Sequence, residues 1–137
     1  MERNDRKKFL HKQESYAVQG AAFEVYKEFR NRHKEKVYGR AMVACLKANK
    51  LQVEQEKRIP IYFREEKVGT YIPDIVVNDC IFIELKCKPQ ITRDDIKQFW
   101  YYLKGSKYKV GYLINFGASN GVQIERRVYD IARKKKQ

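Results

Sequence analysis

Residues 71–87 (Tyr-Ile-Pro-Asp-Ile-Val-Val-Asn-Asp-Cys-Ile-Phe-Ile-Glu-Leu-Lys-Cys) constrain this chain most, because charges interrupt a run otherwise suited to burial. Ile75, Val76 and Val77, then Ile81, Phe82, Ile83 and Leu85, are apolar and β-prone, and they read as two short strands joined by a turn at Asn78-Asp79. Strand side chains alternate between faces, so Phe82, Glu84 and Lys86 share one face while Ile81, Ile83 and Leu85 share the other. Asp74 stands at the end of the neighbouring strand and can converge with Glu84 and Lys86 on one point. Charges in such a setting are costly unless they are paired or bound to a metal. Two readings are open. One is a salt-bridged Glu84–Lys86 pair on a half-exposed strand. The other is a divalent-metal site, in which two carboxylates supply hard oxygen ligands suited to Mg²⁺ or Mn²⁺. The lysine would then orient a water or hold developing charge on a phosphate.

Bulk charge points to the partner. The 137 residues carry a net charge of +13, which favours a polyanion, most simply nucleic acid, over a neutral small molecule. Charge alone does not separate DNA from RNA, and a ribosome-associated or other RNA-associated protein could be as basic. No apolar run is long enough to span a membrane, and the amino terminus lacks a signal-peptide core. Cys45, Cys80 and Cys87 have no C-x-x-C spacing, which argues for an intracellular, reducing compartment and against a zinc ribbon.

Residues 1–13 read as a basic arm, 14–131 as one domain and 132–137 as a basic tail. Val18, Ala21, Ala22, Val25 and Phe29 predict a helix over 14–31. Val37, Tyr38, Ala41, Met42, Cys45 and Leu46 predict a second over 34–49. Glu35 lies roughly 70° from the middle of that apolar face. Near the helix start, it suits the helix dipole. Residues 51–63, 68–77 and 80–87 predict a three-stranded meander, with a turn at 64–67 and an edge or bulge at Pro60. Thr92 should cap a helix over 93–104, built on Ile96, Phe99, Trp100 and Leu103. Gln98 and Tyr102, four apart, share another face of it. Residues 108–116 predict a strand, and Gly117 and Gly121 are expected to supply positive φ before a last strand from Val122. The order ααβββαββ gives an α/β fold bordering on α+β, a mixed central sheet flanked by helices.

Pro73-Asp74, followed by Glu84-Leu85-Lys86 with Glu84 ten positions after Asp74, resembles the PD-(D/E)XK nuclease motif. The segment 34–42 resembles the helix of the small GxxExxxR proteins of that superfamily, except that Arg32 stands where a glycine is expected. Segments 68–77, 83–86, 98–104 and 110–117 resemble its later blocks in the same order, so the likeness runs over roughly residues 14–129. Gln98 and Tyr102 resemble the Q-x-x-x-Y element of RecB-type and lambda-exonuclease-like enzymes, whose glutamine borders the active site. The resemblance implies a restriction-endonuclease-like fold and a metal-dependent nuclease, with DNA preferred to RNA as substrate. It implies Asp74, Glu84, the backbone carbonyl of Leu85 and Glu35 as metal ligands, with Lys86 and Gln98 at the reacting centre.

Arg58, Arg64, Lys88, Arg93 and Lys97 lie near the motif in sequence and, with Tyr102, are the candidates for nucleic-acid contact. A structure-selective endonuclease of the Holliday-junction type would need a symmetric homodimer. A binding module on the same fold would not need acids facing phosphate. The small size suggests low specificity of its own, or a protein partner that supplies it.

Overall fold

A computed structural model of the chain describes residues 9–130. Residues 1–8 of the arm, Ile131 and the tail at 132–137 lie outside the described residues. Helices α1 (Lys12–Phe29) and α2 (Glu35–Ala48) come first. Strands β1 (Val53–Gln55), β2 (Ile59–Phe63), β3 (Glu66–Tyr71), β4 (Ile75–Val77) and β5 (Ile81–Lys86) follow. Helix α3 (Arg93–Gly105) and strands β6 (Val110–Asn115) and β7 (Gln123–Val128) complete the described chain.

Strand alternation on β5 builds the layers. Ile81, Ile83 and Leu85 face α1 and α2, where they pack with Val110, Tyr112 and Ile114 against Val18, Ala22, Tyr38, Met42 and Leu46. Phe82 faces the other way, into a cluster with Val76, Leu113, Phe99 and Leu103 of α3, and Ile59 and Tyr71. The main sheet has the order β1-β4-β5-β6-β7, so β5 is its central strand. β5 and β6 run parallel, joined through α3, and the other neighbours are antiparallel. The expected mixed sheet with flanking helices is therefore the fold observed. The cap expected at Thr92 is also present. Its hydroxyl accepts from the Asp95 N–H at 3.1 Å, and the Asp95 carboxylate accepts from the Thr92 N–H at 2.9 Å.

The three-stranded meander does not form. β1 pairs with β4 in the main sheet, whereas β2 and β3 leave it as a separate two-stranded ribbon. Residues 51–63 break after β1, where Glu56 adopts φ 56°. Residues 68–77 break at Pro73, which has no N–H to give a ladder. The order among the described residues is thus ααβββββαββ. The tight turns do fall where expected: Arg64 and Glu65, and Asn78 and Asp79, all have positive φ.

The two glycines after β6 differ in purpose. Gly121 does adopt positive φ, at 137°. Gly117 does not; a Cβ there would sit 2.3 Å from the Lys88 nitrogen and 2.4 Å from its carbonyl oxygen. Gly117 is required by close backbone approach, which packs the loop after β6 onto the exit of β5. At the α1–α2 junction, where Arg32 replaces the expected glycine, a fully buried tyrosine does the fixing. The Tyr38 hydroxyl donates to the Arg30 carbonyl and accepts from the His33 N–H at 3.2 Å, and its ring stacks on Phe116 at 4.6 Å. That junction sets where α2, and so Glu35, begins. Among the described residues no helix is long and apolar enough to cross a membrane.

Candidate active site

The site forms where β4 stops short of β5. Their ladder runs from Val77↔Ile81 to Ile75↔Ile83, and β5 then continues without that partner. Asp74 takes over, and its Oδ2 accepts from the Leu85 N–H at 2.7 Å. The N–H and C=O of one strand residue face the same neighbour, so the Leu85 carbonyl also faces the edge that β4 has left. Glu84 and Lys86, both half-buried, project from β5 on the face of Phe82. Glu35, exposed in the first turn of α2, lines a cleft of about 470 Å³ with Asp74, Leu85, Glu56 and Arg40.

The electrostatics put these groups within one another's influence. Burial pushes the Glu84 carboxyl up to about 7, and Asp74 and Glu35 push the same way, against the Tyr71 hydrogen bond and Lys86. Asp74 is raised by burial and by Glu56, against the Leu85 N–H and Lys86. Glu35 is raised by burial and by Asp74, with Lys86 opposing. Three acids thus share the influence of one ammonium. Among the described residues Lys86 closes no ion pair, so the salt-bridged reading of Glu84–Lys86 does not describe this strand.

This donor set fits a divalent cation. Each of two half-buried carboxylates has one oxygen fixed by a protein donor, Asp74 by the Leu85 N–H and Glu84 by the Tyr71 hydroxyl. The negative charge is under-compensated, which is the condition a hard cation relieves. Among the described residues the trio of metal-ligating side chains packed within 4.8 Å is a different one, so Glu35, Asp74 and Glu84 stand wider apart than that. Such spacing leaves room for waters or substrate oxygens in the shell of a hard divalent cation.

A family model described as the PD-(D/E)XK nuclease superfamily matches residues 12–128. The chain belongs to the PD-(D/E)XK nuclease superfamily. Neither a curated protein nor a solved structure matches it. The superfamily consists of nucleases that generally use divalent metals, so nucleic acid is the substrate class.

One residue of the site was not singled out by the sequence pattern. Tyr71, buried at the end of β3, donates its hydroxyl to Glu84 Oε1 at 2.6 Å. Its ring stacks on Tyr102 of α3 at 3.8 Å with the planes 17° apart. Gln98 Nε2 in turn donates to the Tyr102 hydroxyl at 3.2 Å. Gln98 and Tyr102 therefore reach Glu84 through an aromatic stack. Gln98 itself is exposed on α3, beside Lys97 and Tyr102 on a shallow cleft of about 460 Å³. The available signal for Tyr71 was an aromatic residue three positions before Asp74, at the end of an apolar strand.

The basic candidates separate into groups. Arg58 immediately precedes the β2–β3 ribbon, and Arg64 sits at its tip with its guanidinium 5.2 Å from the Phe63 ring centre. Arg93 and Lys97 are exposed on α3. Lys88 is engaged, its ammonium 2.8 Å from Asp95 Oδ2 in the cap of α3.

Proposed function

We propose that this superfamily member is a Mg²⁺- or Mn²⁺-dependent nuclease that cuts DNA in preference to RNA. The convergence of Glu35, Asp74 and Glu84 with Lys86, which closes no ion pair among the described residues, carries the reading. Asp74 and Glu84 would hold the ion, with the Leu85 carbonyl and Glu35 contributing directly or through water. Bound there, a divalent ion supplies Lewis acidity at a phosphoryl oxygen and lowers the pKa of a bound water. The chain's own residues do the rest. The Leu85 N–H fixes Asp74 and the Tyr71 hydroxyl fixes Glu84, so neither carboxylate must be ordered when substrate arrives. Lys86 orients the water that attacks phosphorus and offsets charge on the phosphate as the leaving P–O bond breaks. The early helix supports the closer likeness to the GxxExxxR proteins, because Glu35 heads α2 at the mouth of the cleft.

The ribbon supports a preference for unpaired bases. Tyr62, Phe63 and Val68 are each about 60% exposed on it, unusually open for large apolar side chains. Arg58, Arg64 and Lys67 accompany them, and Tyr71 of the site ends the same ribbon. Aromatic platforms amid basic charge suit bases whose faces are free, as in a single strand or a branch.

Cleavage of labelled single-stranded, duplex and branched DNA and of RNA, in Mg²⁺, Mn²⁺ or EDTA, tests the reading alongside Glu84→Ala and Lys86→Ala. Metal-dependent cutting that both variants lose is expected. Equal cutting by Glu84→Ala would overturn the site assignment.

A further inference from the structure

A second set of ligating side chains lies at the opposite end of β5 from the acids. His11, Glu14 and Cys80 each present one ligand atom, and these atoms all lie within 4.8 Å of one another. Among the described residues no hydrogen bond joins the three to each other. They approach as ligands around a common point do, separated yet convergent. Glu14 is held by a hydrogen bond of its own, and His11 and Cys80 are placed by the backbone around them. The Leu10 carbonyl accepts from Arg126 Nη2 at 2.9 Å, fixing the residue before His11. Glu14 Oε2 accepts from Asn78 Nδ2 at 3.1 Å, while Asn78 Oδ1 accepts from the Gln52 N–H at 2.8 Å. Cys80 follows directly on the Asn78-Asp79 turn. The bond from Asn78 to Glu14 is the kind of support that orients a metal ligand. His11 and Cys80 also line a cleft of about 300 Å³, so one side of the cluster is open.

We propose that His11, Glu14 and Cys80 bind a zinc ion that clasps the start of α1 to the β4–β5 turn, with a water at the open position. Thiolate, imidazole and carboxylate donors select Zn²⁺ over the hard cations that the all-oxygen acid site would take. On binding, the thiol proton leaves to solvent and Zn–S, Zn–N and Zn–O bonds form, with no change of oxidation state. β5 rises about 3.3 Å per residue, so Cys80 stands roughly 13 Å from Glu84 along the strand and the two sites do not compete for ligands. The inference does not depend on the nuclease reading, because binding is measured without cleavage.

The test is titration of the full chain with Zn²⁺ against a chromophoric chelator, with Co²⁺ as the spectroscopic probe. One chelator-resistant ion per chain and a cobalt–thiolate charge-transfer band are expected, and an ion at the all-oxygen acid site adds nothing to that band. Cys80→Ser should abolish the band. His11→Asn should weaken binding by about tenfold or more. Asparagine suits this second variant because His11 has φ 54°, a left-handed conformation that asparagine tolerates. Glu84→Gln should leave the band and the affinity intact. A thiolate band absent from the parent chain, or zinc binding unchanged in Cys80→Ser with the fold retained by circular dichroism, would overturn the proposal.

Discussion

Glu84→Gln should stabilise the metal-free protein, and by an amount the structure sets. The Glu84 carboxyl is raised from an ordinary 4.5 to about 7 in the folded chain, chiefly by burial. The folded state therefore holds a proton that the unfolded state has released, and stability falls as pH rises through the window between those values. Each unit of difference is worth about 1.4 kcal/mol, which gives a ceiling of about 3 kcal/mol fully developed above pH 7. Because the side chain is half-buried and reached by solvent, about 1–3 kcal/mol is the working range. Glutamine keeps an acceptor for the Tyr71 hydroxyl and carries no charge at any pH.

The assay is urea unfolding of both proteins in EDTA at pH 8 and at pH 5. At pH 8 the variant should be more stable, and at pH 5 the gain should shrink below about 1 kcal/mol, since folded Glu84 is then protonated. Mg²⁺ or Mn²⁺ at pH 8 should stabilise the parent and leave the variant less affected, reversing the order. A variant no more stable than the parent at pH 8 in EDTA, or a gain independent of pH, would refute the argument that an uncompensated carboxylate is stored at this edge.

Removing the Tyr71 hydroxyl in Tyr71→Phe takes away a bond that lowers the Glu84 pKa. The acid limb of the pH–rate profile should move to higher pH and kcat/KM should fall by about tenfold, with a greater loss at pH 6 than at pH 8. Phe63→Ala on the ribbon should weaken single-strand binding by about 1–3 kcal/mol, read by fluorescence anisotropy, while hydrolysis of a small phosphodiester stays unchanged. Arg64→Ala should lower the slope of log affinity against log salt by about 1, measured in the same binding assay. Gly117→Ala should cost about 1–3 kcal/mol in urea unfolding, because its methyl meets the Lys88 backbone.

The helices and the central strands were legible because their signals are local. The stripe at Val18, Ala22 and Val25 and the alternation at Ile81, Phe82 and Ile83 each state which side is buried, and the two clusters divide along those lines. Thr92 and Asp95 likewise carry a cap within four residues. What failed was pairing between strands. Residues 59–63 and 66–71 alternate as a hairpin should, yet nothing local says whether a hairpin stays in the main sheet. That choice rests on the breaks at Glu56 and Pro73, whose effect depends on where β4 lands against β1. Gly117 is a backbone device through close approach and not through positive φ. Its neighbour at 87–88 is remote in sequence, so steric demand from that quarter leaves no local trace.

The same limit explains Tyr71, and with it the design of the site. A motif of two acids and a lysine names the groups that change charge, because their residue types are unusual inside a strand. It does not name the neutral group that aims one of them. Tyr71 reaches Glu84 across 13 positions in sequence and leans on Tyr102 from a third element, so its role exists only once β3, β5 and α3 have met. Burial raises the Glu84 pKa, while the Tyr71 hydrogen bond lowers it. The tyrosine thus keeps a buried acid ionisable near neutral pH, where a carboxylate left to burial alone would hold its proton and be a poor ligand. The ribbon that leaves the main sheet is what delivers this hydroxyl. The one place where the expected meander fails is therefore the place where the fold supplies the support that the motif lacks.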